Sequence, residues 1–449
     1  MKPEFPIIIL GGGITGLSAA LLAADAGFKT VVLEASPEVG GLLNTFETAG
    51  DRLEYYYHHF FTHDQELGWL IKRLGLEDQV GFHATTMGVF RERSIWDFNS
   101  PKDLLKFSPM SLFDKFRFGI TSLFLGKWAD WKKYEGVSAL EWFQKYAGPT
   151  TTASLWSPML QVKFGPYAPK VPLAWMIGRL RQRMNSKKDN SAALGYMQGS
   201  LYTLLQALKK ELLLKGVAIH TQSPVREVVS IGQDRCRVMC DHTSYEGKVL
   251  STLAGQILSG ILKPHYPDYS QELLQVEYFG AVCTILESEE SLSPVYWLNI
   301  ADPGFPFGGV IEHTHLVHPR HYKGSHLIYL SRYFEQSNPL ASMSESEIST
   351  MMCEKLKEIF PHYNSNKIKS IRVFKTMHAA TVCDLDFSKK VPHAQTPISG
   401  LYIANMAHIY PDERSCNNAI RTAANACALM GIPASHIPHS GLAGLIHMK

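Results

Sequence analysis

An excess of charge of either sign is what this chain most lacks. In 449 residues, 44 lysines and arginines face 41 aspartates and glutamates, a formal balance of +3 with histidine neutral. So small and dispersed an excess, without interleaved basic and aromatic runs, excludes nucleic acid as a partner. The 7 cysteines are scattered, odd in number and without a C-x-x-C pair. A complete disulfide framework is therefore excluded, and a reducing compartment is the simplest reading. Cys236 and Cys240 lie closest together, but no histidine pattern completes a zinc site around them, so no metal is expected. No apolar run approaches the roughly 20 residues that span a bilayer. Met1-Lys2-Pro3 leads straight into an apolar strand and leaves no room for a cleavable leader. The expectation is a cytoplasmic protein, soluble or at most attached to a membrane surface. Neither a Ser-His-Asp set nor a pair of catalytic carboxylates is evident.

What is present is a large apolar fraction, 45% of residues, enough for two or three intertwined lobes. It begins with Pro6-Ile7-Ile8-Ile9-Leu10 running into Gly11-Gly12-Gly13-Ile14-Thr15-Gly16. This reads as a buried parallel strand, a tight turn and a helix. Gly11 permits the turn, Gly13 lets a pyrophosphate approach the main chain, and Gly16 lets helix and strand pack closely. The N–H groups of Ile14, Thr15 and Gly16 at the helix start favour phosphate. A second strand, Thr30-Val31-Val32-Leu33, ends in Glu34 at the ribose-binding distance, so a dinucleotide is expected.

Glu34-Ala35 and the loop to Gly40-Gly41-Leu42 complete a pattern that resembles the opening of the FAD-dependent amine oxidase, protoporphyrinogen oxidase and phytoene desaturase superfamily. The resemblance implies an α/β fold: a Rossmann-like, GR2-type FAD-binding domain with an inserted α+β substrate lobe and a helical subdomain. It implies non-covalent FAD, with Gly40-Gly41 passing beside the flavin. Leu42 stands where amine oxidases usually carry arginine. Residues 1–97, 194–266 and 375–432 are expected to build the cofactor domain. Residues 98–193 would form the helical lobe, 267–374 the substrate-lobe sheet, and 433–449 a surface tail.

The segment Tyr55-Tyr56-Tyr57-His58-His59-Phe60-Phe61-Thr62-His63-Asp64 concentrates aromatics and histidines, and Asp64 suits the N-cap of the helical pattern that follows. His59-x-Phe61 is similar to a histidine segment of UDP-galactopyranose mutase, which implies His59 against the flavin, with Tyr57 nearby on the substrate side. The alternative is a core role for these rings. From Phe98 to Tyr134 the chain mixes Phe, Leu, Trp, Lys and Arg. That suits a helical lobe, with weak contact to a membrane surface as the second reading. Arg179, Arg181 and Arg183 could bind an anionic substrate. On a helix Arg179 and Arg183 share a face and Arg181 points away. Glu312, in Glu312-His313-Thr314-His315, either lines a pocket or sits in a polar turn.

Pro224-Val225-Arg226 resembles the superfamily's return to the nucleotide domain, which implies Val225 at the adenine. Leu401 to Met406, then Ser415-Cys416-Asn417-Asn418-Ala419 and a small-residue helix, look like its C-terminal FAD motif. That places Asn405, Met406, Asn417, Asn418 and Ala419 nearest the cofactor. No lysine lies between Tyr278 and Tyr296, where many amine oxidases hold one facing the flavin. The leading expectation is an oxidoreductase taking hydride from a C–H or C–N bond of a small molecule. The alternatives are a redox-neutral mutase acting on a nucleotide sugar and a non-catalytic FAD-binding scaffold. Oligomeric state is not legible.

Overall fold

The computed structural model describes residues 5–185 and 193–439. Its centre is a parallel sheet in the spatial order Ala218–His220, Thr30–Leu33, Ile7–Leu10, Ser244–Ser251, Leu401–Ile403. Ile7, Ile8, Ile9 and Leu10 are buried on both faces, as a strand covered from both sides requires. Ser244–Ser251 does two jobs. Its first half pairs antiparallel with Arg235–Cys240, and its second lies between the first strand and Leu401–Ile403. A hairpin partner, Val225–Gly232, completes this part.

One face of the sheet is covered by the first helix, Ile14–Asp25, and the last, Cys416–Leu429. Small side chains line their contact: Ala19, Ala20 and Ala23 on one, Ala423, Ala424 and Ala426 on the other. The Cys427 thiol reaches the Ala19 carbonyl at 3.8 Å. Both helices start at the edge of the sheet where its parallel strands end, so their positive dipole ends face one region.

A second sheet runs in the order Ile368–Thr381, Tyr278–Ser288, His326–Glu335, Gly309–Glu312, Trp297–Ile300, Met87–Arg91, Ser94–Asp97. The last two strands belong to the stretch 1–97, so that stretch contributes to both sheets. Helices Leu112–Lys127, Ala139–Tyr146, Ser157–Phe164 and Leu173–Asn185 form the helical part. Its core is aromatic, with Phe143 stacked on Trp156 at 4.4 Å. Gly178 matters here because a β-carbon on it would lie 2.3 Å from the Pro411 carbonyl oxygen. Its absence brings the 173–185 helix against the loop that precedes the last helix. In the segment from 433, expected as a surface tail, Pro433, Ser435 and His436 are exposed while Ala434 and Ile437 are buried in the core that includes the first helix. Residues 440–449 lie outside the described residues.

Sequence reading missed Glu54, fully buried at the end of Asp51–Glu54. It accepts from the Leu201 N–H at the start of Ser200–Leu214 and from the Tyr196 hydroxyl, both at 2.7 Å. Burial raises its carboxyl to about 7 despite these hydrogen bonds. A carboxyl raised on folding favours the folded state below its unfolded value near 4.5. That advantage is lost as pH climbs through about 7, on the order of 3 kcal/mol in all. Glu54→Gln keeps an acceptor for Leu201 without the charge. Its melting temperature should fall less between pH 5 and 8 than the wild type's, a difference readable by calorimetry at both pH values.

Candidate active site

The glycine turn is closed by a second loop. Gly40 N–H donates to the Gly12 carbonyl at 2.8 Å, and Gly13 and Gly40 form a parallel bridge. Gly40 and Gly41 have φ of 133° and 58°, a left-handed region in which a β-carbon is strained. No side chain caps the first helix, whose N-cap is Gly13, and nothing lies within 4 Å of where a Gly13 β-carbon would stand. This uncapped, open helix start with Ile14, Thr15 and Gly16 in its first turn is a cradle suited to a pyrophosphate. Glu34, half-buried at its rim, accepts from Gly12 N–H at 2.7 Å and Ser36 N–H at 2.8 Å. A carboxylate has about four acceptor sites, which leaves capacity for ribose hydroxyls. Ala35 beside it is exposed. Ser223 N–H donates to the Glu34 carbonyl at 2.8 Å, which brings Val225 to the same edge.

Asn405 follows the strand Leu401–Ile403 and caps the short turn Met406–Ile409 through Ala407 N–H, while its amide donates to the Leu253 carbonyl. Asn417 accepts from Leu67 N–H at 3.0 Å, and Asn418 donates to the Glu413 carbonyl at 2.6 Å. These amides fix the start of the last helix, and Ala419 is buried in its first turn. Asp64 occupies the N-cap of Gln65–Arg73, but its carboxylate accepts backward, from Phe61 N–H at 2.8 Å.

Between these loops and the second sheet lies a cavity whose walls include Leu42, Tyr57, His58, Cys283, Tyr333 and Arg414. Leu42 thus joins the Gly40-Gly41 loop to the cavity, and Tyr57 is in its wall. Of the two adjacent histidines, His58 is in the cavity wall. His58 Nδ1 contacts the Tyr56 carbonyl at 2.6 Å, while His59 Nδ1 lies 3.2 Å from the Tyr296 hydroxyl, edge-on to Trp297. Burial, then the Arg183 and His58 charges, lower His59 to about 3; burial and Arg414 lower His58 to about 4. Both imidazoles are neutral at neutral pH.

Beside the cavity, charges gather that chain order does not reveal. Glu413 takes Lys163 Nζ at 3.3 Å and Arg179 at 2.5 Å. Arg414 pairs with the Tyr333 hydroxyl, and Lys163 lies over the Trp175 ring at 4.5 Å. Burial would raise Glu413, but Arg179, Lys163 and Arg414 outweigh it and hold the carboxyl at about 2. Arg183, next to Tyr57, Tyr296 and Arg179, is lowered to about 10 by burial and by the Arg179 charge. Four cations, Lys163, Arg179, Arg183 and Arg414, therefore surround one carboxylate. Arg181 turns away to the Ala129 carbonyl. Sequence reading missed Lys163, Glu413 and Arg414. For Glu413 and Arg414 the one signal was a charged triplet, Asp412-Glu413-Arg414, shortly before the small-residue helix; Lys163 had none.

Glu312 is corrected. It is fully buried and accepts from the N–H groups of Leu292 and Ser293 at 3.0 and 2.7 Å, with His326 3.3 Å away. It fixes the loop before Trp297–Ile300 and does not line the cavity.

The family model for flavin-containing amine oxidoreductases matches residues 14–430, and the chain belongs to that family. A 15-cis-phytoene desaturase of Capsicum annuum is 30% identical over 168 residues, 33% of this chain and 29% of that protein. The chain thus matches less than a third of the length of this curated relative. The structure of a protein from Exiguobacterium sp. 255-15, provisionally described as a protoporphyrinogen oxidase, superposes with a TM-score of 0.75 at 16% identity, covering 96% of this chain and 99% of that one. Reduced UDP-galactopyranose mutase superposes with a TM-score of 0.74 at 12% identity, covering 98% and 97%. Both likenesses show the fold: a mixed α/β architecture with two sheets and a helical part.

Proposed function

We propose that the chain is an FAD-dependent oxidoreductase acting on a small molecule that carries a carboxylate or phosphate group. One observation carries this reading: the loop Gly40-Gly41-Leu42, the segment Tyr57-His58 and the loop Glu413-Arg414 meet at one cavity, with a surplus of cations at its side. The flavin, when bound, supplies hydride acceptance from a C–H or C–N bond. This chain's residues do the rest. The two helix starts and the glycine turn hold the dinucleotide's phosphates, Glu34 takes ribose, and the start of the last helix stabilises negative charge nearby. Arg183, Arg179 and Arg414 orient an anionic substrate and repel a cationic amine, with Tyr57 packing against it. His58, neutral in the cavity wall, offers hydrogen bonds without charge, while His59 is held by Tyr296.

Non-covalent attachment fits the thiol in the cavity wall, Cys283, which burial pushes up to about 12, and the one at the start of the last helix. Burial, helped by Asp64 and Glu54, pushes Cys416 up to about 12, where it is a poor nucleophile. Acid precipitation should release all of the flavin into the supernatant. The same cations suit the redox-neutral alternative, a mutase acting on a nucleotide sugar.

The test starts from the flavin spectrum of the purified protein before and after dithionite and during reoxidation by air. Glutarate and pyrophosphate should perturb the oxidised spectrum in a saturable way, and putrescine should not. Arg183→Met should weaken the anion effect by about 10- to 100-fold, the value of a charge-assisted hydrogen bond. Perturbation by putrescine alone would overturn the anionic assignment. A flavin that persists reduced in air and turns over a nucleotide sugar would select the mutase. A flavin that no reductant bleaches would leave the scaffold.

A further inference from the structure

The helix Leu112–Lys127 is amphipathic the wrong way round for a water-soluble surface. Its inward side buries Asp114, Lys115 and Thr121 along with Leu125. Asp114 accepts from the Ser111 hydroxyl at 2.7 Å, and Lys115 Nζ donates to the Leu105 carbonyl at 2.7 Å. Thr121 bonds back to the Arg117 carbonyl. The outward side carries Leu112, Phe113, Phe116, Ile120 and Leu123, with exposures of 73%, 67%, 65%, 52% and 38%. Positions 112, 116, 120 and 123 follow the i, i+4, i+8, i+11 spacing of one helix face. Leu105 and Trp128, 60% and 67% exposed, extend the patch at both ends. A single exposed leucine needs no explanation, but seven large side chains in one stretch of 24 residues do.

The charge around the patch identifies what covers it. Within residues 102–133, Lys102, Lys106, Lys127, Lys132 and Lys133 are exposed against one exposed carboxylate, Asp130. No helix among the described residues is long and apolar enough to cross a membrane. A helix lying in the interface, with its apolar side in the acyl boundary and lysines at headgroup level, matches both facts.

We infer that the outward face of the 112–127 helix docks on the surface of an anionic lipid bilayer. The inference is independent of the redox reading, because it rests on a surface outside the cavity. The test is flotation of the full-length flavin-loaded protein with phosphatidylcholine vesicles, with and without phosphatidylglycerol. The protein should float with the mixed vesicles, and raised salt should weaken this. Phe113→Ser combined with Phe116→Ser should reduce partitioning by more than about tenfold at unchanged melting temperature and flavin content. Each of Lys106→Gln and Lys127→Gln should reduce it by about fivefold. Failure to float with the mixed vesicles would overturn the inference. So would a concentration-dependent dimer that the same two serine substitutions dissolve, since a second copy would then cover the face.

Discussion

Arg421→Met is expected to lower stability by about 3–5 kcal/mol, the cost of removing one partner from a buried ionic cluster. Arg421 is 2% exposed in the last helix. Its guanidinium lies 2.5 Å from Asp412 and 3.7 Å from Glu66, two carboxylates that are themselves buried. The cluster joins the last helix, the start of Gln65–Arg73 and the loop bearing Glu413 and Arg414. Methionine fills much of the volume but leaves two carboxylates without their shared cation. The melting temperature should fall sharply, and the purified protein should carry less flavin, because that loop borders the cavity. Arg421→Lys, which keeps a charge but loses the fork, should fall between. An unchanged melting temperature for the methionine variant would mean that the carboxylates are neutralised some other way.

Gly16→Ala and Gly13→Ala should separate two roles that one glycine motif combines. A β-carbon on Gly16 would stand 2.0 Å from the Gly11 carbonyl oxygen and 3.1 Å from the Ile9 side chain. The first helix must then move off its strand, at an overpacking cost of about 1–3 kcal/mol. Because that helix start is the proposed phosphate cradle, flavin should be lost together with stability. Gly13 differs: its φ of −74° suits any residue, and its β-carbon position is open. Gly13→Ala should match the wild type in melting temperature once both are stripped of flavin, yet retain flavin more weakly. Flavin absorbance per protein and paired melting curves measure both effects. Full flavin retention by Gly13→Ala would argue against a cofactor over this turn.

The two ends of the cofactor fold were readable because their signals are local. A glycine turn, a strand ending in Glu34 and a small-residue helix each announce their geometry within a few residues. The Gly40-to-Gly12 contact was not written in spacing, but the glycine pair flagged a backbone needing left-handed torsions. The substrate side was harder, because its parts come from distant segments. Lys163, Arg179 and Glu413 converge only because Gly178 admits the 411–414 loop, and no periodicity encodes that approach. Glu312 misled because a buried carboxylate bonded to backbone and one lining a pocket look alike in sequence. The adjacent histidines diverge as neighbouring side chains do: His58 lines the cavity and His59 turns to the Tyr296 hydroxyl. The 112–127 helix was ambiguous until the burial of Asp114 and Lys115 showed which side faces outward.

The central sheet has a consequence for biosynthesis. Its strand Leu401–Ile403 and the helix Cys416–Leu429 come from the far end of the chain, yet the strand closes the open side of Ser244–Ser251 and the helix packs on the first helix. A ribosome that has already delivered Ile14–Asp25 must make nearly four hundred more residues before the last helix packs on that segment. Such long-range closure is slow and exposes the nascent chain to aggregation. Chaperone dependence during translation follows from this topology, and fragments ending before residue 401 should be insoluble even though they contain the whole glycine turn.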